Sequence, residues 1–390
     1  MITVEQALEQ LFALVTPLPV EHVPLQDAAG RALAQPVTAN RDQPPFAASV
    51  MDGYAMRNSD AMPGAQLTVI GEAAAGHAFN GTVGPGQSVR IFTGAPMPDG
   101  ADRVVIQEDV SQSSGGIKIN SALDPAPYVR AKGADFQAGS RIASPHILRP
   151  ADIALLASMN IAKVPVARRP VVALIATGDE LVMPSEAPEA DQIIASNSFG
   201  LKALIESQGA ETRLLPIARD SFASLETVFD LAAGADLIIT IGGASVGDHD
   251  LVAKAAEHRG LQRSFYKIAM RPGKPLMAGR MGDSVMIGLP GNPVSSMVCG
   301  QIFVLPLLNA MLGLGQSAAS RKTAKLACNL PANGPREHYM RAQLTPDGIS
   351  PFERQDSALL GVLAQADALL IRPIKDRARQ AGEQVEYIAL

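Results

Sequence analysis

The sequence contains no tryptophan, 4% aromatic residues and two cysteines among 390 residues. With so few aromatics the cores must be built from Ala, Val, Ile, Leu and Met, as in soluble α/β proteins, and a hydrophobic share of 47% supplies them. Disordered and fibrous classes are excluded. Cys299 and Cys328 each lie in apolar surroundings without C-x-x-C spacing, so neither a disulfide framework nor a zinc site is expected. Positive charge is also short. With 33 Lys and Arg against 38 Asp and Glu, the formal net charge is -5, which argues against a general binder of nucleic acid or anionic membrane and points to small molecules or proteins as partners. The first residues, Met1-Ile-Thr-Val-Glu-Gln6, lack the basic and apolar segments of a signal peptide, and a cytoplasmic location is expected. One uncharged run, Met297 to Gly315, approaches the length needed to cross a bilayer. It contains Gln301, Pro306 and Asn309 and has no basic flank on its near side, so we expect a buried core or subunit-interface helix, kinked or broken at Pro306.

A chain of this length exceeds one typical domain, and its texture changes along the way. Thr3 and Gln6 have the spacing of a capping box, and Val4, Leu8, Leu11 and Val15 follow at helical spacing. Between about Ala61 and Gly139 the helical period disappears, and short β-rich runs alternate with Gly, Pro, Asn and Asp, which is the pattern of an all-β module. From Pro145 strands alternate with helices of about a dozen residues, the signature of βαβ units with a parallel sheet covered on both faces. After about Arg321 short strands return and suggest a small barrel or sandwich, on which Arg336, Arg341, Arg354 and Ser357 read mostly as surface.

The most informative stretch is Asp236-Leu-Ile-Ile-Thr-Ile-Gly-Gly-Ala-Ser-Val-Gly-Asp-His-Asp250. Its first half reads as a strand buried on both faces, and its second half is a glycine-rich turn ending in acids. Gly242, Gly243 and Gly247 would let backbone N–H groups turn toward an anion at the start of the helix expected over Leu251 to His258. An ordinary βα turn with a helix-capping Asp fits the same residues. Ligands of such sheets lie at the carboxyl ends of the strands, where three acid-bearing loops meet: Thr177 to Glu180, Ala218 to Ser221 and Gly242 to Asp250. Lys267, Arg271 and Lys274 supply the opposite charge. Elsewhere the choice stays open. Asp52-Gly53 is either a turn or an exposed carboxylate, Thr93 and Gly94 either bind or turn, and Arg130 to Asp135 forms either a solvated loop or an anion site.

Six motifs in order carry a resemblance: Ser49-Val-Met-Asp-Gly-Tyr-Ala55, Thr93-Gly-Ala-Pro96, Thr177-Gly-Asp-Glu-Leu181, Gly242-Gly-Ala-Ser-Val-Gly247, Arg271-Pro-Gly-Lys-Pro275 and Leu289-Pro-Gly-Asn-Pro293. Together they resemble the molybdopterin molybdenumtransferase family (MoeA, to which the E domain of gephyrin is related) over nearly the whole chain. The resemblance implies a multidomain α/β fold. Its central doubly wound parallel domain would resemble molybdopterin adenylyltransferase, with an inserted all-β domain and a C-terminal small β-barrel. The expected boundaries are 1–44 plus 141–168, 45–140, 169–320 and 321–390.

The implied reaction inserts molybdate into adenylylated molybdopterin, releases AMP and is assisted by Mg2+. The implied assembly is a homodimer with a site shared between subunits, in transient contact with molybdopterin adenylyltransferase and apo-molybdoenzymes. Matched residue by residue, Asp52, Glu180, Asp220 and Asp250 are the catalytic acids, the last three also holding metal. Thr93, Arg130, Asp135, Gly242, Gly243, Ser245, Lys267, Arg271, Lys274, Pro290, Pro293, Arg341 and Ser357 match substrate- and cofactor-binding positions. Two departures stand out. Arg271 replaces the Lys of many relatives, a planar fork for a point charge, and Ala195 stands where an Asp is common. A molybdopterin-binding scaffold, a tungstate-handling paralogue and an adenylyltransferase are the alternatives. Against the last, that enzyme resembles only the central domain.

Overall fold

The computed structural model describes residues 1–120, 123–243 and 251–390, and the chain divides into two units. One comprises His22–Ala29 and Gln35–Pro165; the other comprises Met1–Glu21, Gly30–Ala34 and Val166–Leu390. Helix α1 (Val4–Phe12) opens the second of these, and its start follows from the sequence. The Thr3 hydroxyl accepts from the Gln6 N–H while the Gln6 side chain accepts from the Thr3 N–H, so two N–H groups that the helix leaves unpaired are satisfied. Val4, Ala7, Leu8 and Leu11 then form one buried face.

The first unit is built on a six-stranded sheet of β1 (Gly53–Met56), β2 (Gln66–Ala73), β3 (Gln87–Ile91), β4 (Arg103–Ile106), β5 (Val110–Ser113) and β6 (Gly116–Ile119), in the order β4-β1-β3-β2-β6-β5. Only the β2–β3 pair is parallel. Alternation along β1 sends Ala55 to one apolar cluster with Val89, Ile91 and Val104, and Tyr54 and Met56 to another with Leu67, Val105 and Ile117. The sheet is therefore covered on both faces by its own chain, and the all-β reading of this region agrees with it.

The second unit contains a six-stranded sheet of β7 (Val171–Ala176), β8 (Glu211–Leu214), β9 (Leu237–Ile241), β10 (Leu261–Tyr266), β12 (Met277–Met281) and β13 (Ser284–Leu289), ordered β8-β7-β9-β13-β12-β10. Strands β8, β7, β9 and β13 are parallel. The two strands at the far edge, β12 and β10, are antiparallel, a refinement of the all-parallel expectation. Helices α2 (Asn197–Ser207), α3 (Phe222–Leu231) and α4 (Leu251–His258) connect the strands, and the sheet has an apolar cluster on each face. Leu11 is fully buried in the larger cluster with Leu174, Ile239 and Phe303. Cutting such a leucine to alanine costs about 2–5 kcal/mol.

A short strand β11 (Met270–Arg271) leaves this sheet and pairs in parallel with β15 (Glu337–Thr345). With β14 (Lys322–Lys325), β16 (Gly348–Pro351), β17 (Ala368–Arg372) and β18 (Gln384–Ala389) it forms a sheet ordered β11-β15-β17-β18-β14, with β16 on β15. A bridge between Leu326 and Ile349, reinforced by the Ala327 N–H donating to the Ile349 carbonyl at 2.9 Å, joins the β14 end to β16 and closes a barrel. Ala368 and Leu370 point into it, whereas Leu369 and Ile371 pack on the α/β core.

The uncharged run forms α5 (Pro293–Cys299) and α6 (Leu305–Met311), joined by one π turn, Gly300–Val304. Over Pro293–Met311 it is 78% buried. It is thus a core helix of this unit. Of the kink or break expected at Pro306, the break does not occur. The Leu305 N–H reaches back to the Gly300 carbonyl, and this wider turn accommodates the proline ring without ending the helix.

Candidate functional site

Strands β7 and β8 end side by side, and the loops that leave them carry acids. Thr177 bridges Ala218, and the Gly178 N–H donates to the Ala218 carbonyl at 3.0 Å. Gly178 adopts φ 145°, and a Cβ there would lie 2.2 Å from the Glu180 carboxylate, so glycine makes room for that acid to fold over the turn. Arg219 Nη1 donates to the carbonyls of Asp179 (2.9 Å) and Leu181 (3.1 Å), and the Asp220 N–H donates to Asp179 Oδ1 (3.1 Å). Among the described residues, no hydrogen bond or ion pair engages the side-chain carboxylate of Glu180 or Asp220.

Both acids line a cavity of about 860 Å3 at the carboxyl edge of the sheet. Gly242 and Gly243, at φ 97° and 65°, line it below the end of β9, and Pro290 and Pro293 line it beyond β13. Helix starts face it as well: Ser196, Asn197 and Ser198 at α2, Leu251 and Val252 at α4, and Asn292 and Pro293 at α5. Neither Ser196 nor Asn292 caps its helix with its side chain; at α2 this leaves first-turn N–H groups and the positive end of the helix dipole available to an anion, whereas at α5 Pro293 has no N–H and Val294 donates to the Ser357 carbonyl. Asn197 Nδ2 donates to the Gly291 carbonyl at 2.7 Å and ties the α2 start to the Pro-Gly loop. Leu181, Ile193, Ile194 and Ala195 give the cavity an aliphatic side, and Ile193 stays 57% exposed there, open to an apolar part of a ligand.

The expected cations do not line this cavity. Pro275 lines it, whereas Lys274, Lys267 and Arg271 are not among its lining residues. Lys267 has a left-handed backbone (φ 70°) and places its ammonium 4.8 Å from the Tyr266 ring centroid. Arg271 lies on β11, in register with His338. The barrel reaches the cavity through Ala358, since Asn292 Nδ2 donates to Ser357 Oγ (3.0 Å) and the Val294 N–H donates to the Ser357 carbonyl (3.0 Å).

Arg341 corrects the surface reading. It is fully buried and donates from Nη2 to the Arg354 and Asp356 carbonyls, while Nε and Nη1 have no partner among the described residues. His338 is also buried, and its Nε2 has no partner among the described residues. Its pKa is pulled down to about 4 by burial and by the guanidiniums of Arg271, Arg341, Arg372 and Arg336.

In the other unit Asp52 and Thr93 meet directly. Asp52 Oδ1 accepts from the Thr93 N–H and from Thr93 Oγ1, both at 2.8 Å. These two bonds hold the carboxyl below the usual range, and Arg90 adds to them against a small opposing effect of burial. Arg90 donates to the Gly53 carbonyl and to Gln107 Oε1 and lies over the rings of Tyr54 and Phe92 at 5.0 and 4.8 Å. Arg130 is on a two-residue ladder opposite Ala48, and the Asp135 N–H donates to the Gln43 carbonyl; both side chains are exposed.

The structure therefore gathers Glu180, Asp220, Gly242, Gly243, Pro290 and Pro293 around one cavity and joins Asp52 to Thr93. Ser245 and Asp250 lie outside the described residues. Sequence reasoning passed over Asp179, Asn292 and the Ile193–Ile194 ledge. Asp179 and Asn292 sit inside quoted motifs, so the signal was present; the exposed isoleucines had none.

Known proteins match this chain along its length. Residues 2–160 match the MoeA N-terminal region (domain I and II), residues 173–310 a probable molybdopterin binding domain, and residues 323–390 the MoeA C-terminal region (domain IV). A protein of Nostoc sp. named molybdopterin molybdenumtransferase is 37% identical over 386 residues, covering 95% of this chain and 88% of its own. Molybdopterin molybdenumtransferase 2 of Mycobacterium tuberculosis is 34% identical over 378 residues, 93% of each chain. The crystal structure of the molybdopterin biosynthesis moeA protein from Pyrococcus horikoshii superposes with a TM-score of 0.87 at 31% identity, over 100% of this chain and 99% of that one.

Proposed function

The chain belongs to the molybdopterin molybdenumtransferase family, and on that premise we propose that it inserts molybdate into adenylylated molybdopterin and releases AMP. The observation that carries this reading is the cavity itself. It joins helix starts suited to phosphate oxygens, an aliphatic side suited to a ring, and two carboxylates that no hydrogen bond or ion pair engages among the described residues.

Those carboxylates suit Mg2+. The donor set is oxygen only, and this cation commonly takes one or two protein carboxylates and completes its shell with water and substrate phosphate. Glu180 and Asp220 would hold it, with Asp250 as the third acid assigned by resemblance. Bound there, the ion would supply charge neutralisation at the phosphoanhydride. The protein's own part is orientation. The N–H groups of Asn197, Ser198 and Asn292 would grip phosphate oxygens, Asn197 keeps the Pro-Gly loop against them, and the aliphatic side of the cavity holds a ring and excludes water from one flank. Lys267, Arg271, Lys274, Arg341 and Ser357 belong to the same reading as the group that attracts molybdate and the pterin phosphate. Asp52, Thr93, Arg130 and Asp135 complete it from a second subunit, in a cytoplasmic homodimer that exchanges substrate with molybdopterin adenylyltransferase and product with apo-molybdoenzymes.

The test is to incubate the full chain with adenylylated molybdopterin, Mg2+ and molybdate or tungstate, following AMP release and reconstitution of an apo-molybdoenzyme. Molybdate-dependent AMP release is expected. ATP consumption with free molybdopterin, or tight binding without turnover, would replace this function with adenylyl transfer or scaffolding.

A further inference from the structure

Each cavity acid is anchored by the residue beside the other one. Arg219, which precedes Asp220, holds the carbonyls of Asp179 and Leu181 on either side of Glu180. Asp179, which precedes Glu180, accepts from the Asp220 N–H. The two contacts are reciprocal and cross between loops that are about 40 residues apart in sequence, at the ends of β7 and β8. Both use side chains to fix the partner's main chain, and the carboxylates of Glu180 and Asp220, unengaged among the described residues, line the cavity.

We propose that Asp179 and Arg219 are positioning residues that set the separation and direction of the Glu180 and Asp220 carboxylates for a hard divalent cation. This rests on the role assigned above to those two acids. The geometry supports a positioning role over a stabilising one. All four residues are exposed, and exposed hydrogen bonds contribute little to folding because water replaces them. Their effect is local: freeing either loop lets one carboxylate wander and weakens a site that needs both at once.

The experiment uses the full chain and Mn2+ as an EPR-visible divalent cation, with thermal melting measured alongside. Asp179→Ala and Arg219→Ala are each expected to weaken Mn2+ binding about 5- to 30-fold, the effect of losing one or two local restraints. Asp179→Asn keeps the acceptor for the Asp220 N–H and should bind within about twofold of the parent. Melting temperatures should stay within about 2 °C.

Glu180→Gln and Asp220→Asn separate the two levels of the reading. If they lose binding while Asp179→Ala and Arg219→Ala bind as the parent does, the positioning role is wrong and the metal assignment stands. If they too bind as the parent does, the metal assignment is wrong and the positioning role falls with it. An Asp179→Asn variant as weak as Asp179→Ala would make the Asp179 carboxylate a direct ligand and overturn positioning, as would weakening accompanied by melting more than about 5 °C lower.

Discussion

Asp376 and Asp220 are both aspartates on surface turns of the same unit, and the protein treats them in opposite ways. Asp376 is buried and held by Arg372 Nε at 2.7 Å and Arg379 Nη2 at 2.8 Å. Burial would raise its pKa, but these bonds outweigh it and keep the carboxyl low. Asp220 is exposed, its N–H fixed and its carboxylate unengaged among the described residues. Asp52 stands between them, with one oxygen taken up by Thr93. An acid whose oxygens are all bonded by protein contributes to the fold; one whose main chain is bonded and whose oxygens are open can contribute to chemistry.

The sharpest contrast comes from removing each kind. Asp376→Ala leaves Arg372 buried without its counter-ion and should cost about 3–5 kcal/mol, read by urea unfolding, with catalytic parameters unchanged in the folded fraction. Glu180→Gln combined with Asp220→Asn should do the reverse: molybdate-dependent AMP release falls about 100-fold or more, while unfolding shifts by less than about 0.5 kcal/mol. A double variant that lost stability instead would erase the distinction.

His338 tests whether an unpaired group in the barrel behaves as a fold element. Its folded pKa of about 4 lies below the ordinary value of 6.5, so the unfolded chain takes up a proton first as pH falls. The neutral imidazole's full contribution is therefore present above about pH 6.5 and is lost as the pH falls toward 4. Denaturation as a function of pH should show a loss on the order of 2–3 kcal/mol across that window, absent in His338→Gln.

The smallest effect is expected at Asp52. Thr93→Val removes the hydroxyl bond but leaves the N–H bond, so the Asp52 pKa rises. A carboxylate with a depressed pKa acts in full above its ordinary value and fails as pH falls through the folded value; in the variant that failure begins at higher pH. The acid limb of the kcat/KM profile should move upward while the neutral rate, where the carboxylate is ionised in both proteins, changes by less than about twofold, with Thr93→Ser restoring the limb.

Much of this was legible in the residues. The β-branched run 237–241 reads as a doubly buried strand because it is one, and the Thr177 to Glu180 and Ala218 to Ser221 loops could be placed together with Gly242 and Gly243 because parallel strands deliver their loops to one edge, the rest of the third loop lying outside the described residues. The antiparallel pair β10 and β12 was not legible, since the residues of a strand carry no mark of its direction in the sheet. Arg341 read as surface because arginine is seldom buried; the Arg354 and Asp356 carbonyls that receive it come from a loop whose path local pattern does not encode. The placement of Arg271 depends on a parallel pairing with β15, 67 residues away by the match of Met270 to Glu337, and only tertiary register reveals it.

The π turn before Pro306 has a consequence for what evolution or an engineer can delete. A π turn holds one residue more than the α turn it replaces, so it works as a phase adjuster. Removing a single residue from Gly300–Val304 would let the ladder close as an ordinary α-helix with the flanking turns still facing as they do, whereas removing one from α5 would rotate everything after it by about 100°. Leu307, Leu308 and Met311 would swing away from the sheet they now pack on, although no core side chain had been changed. The same residue removed from an exposed loop would pass unnoticed. In this helix the count of residues matters as much as their identity.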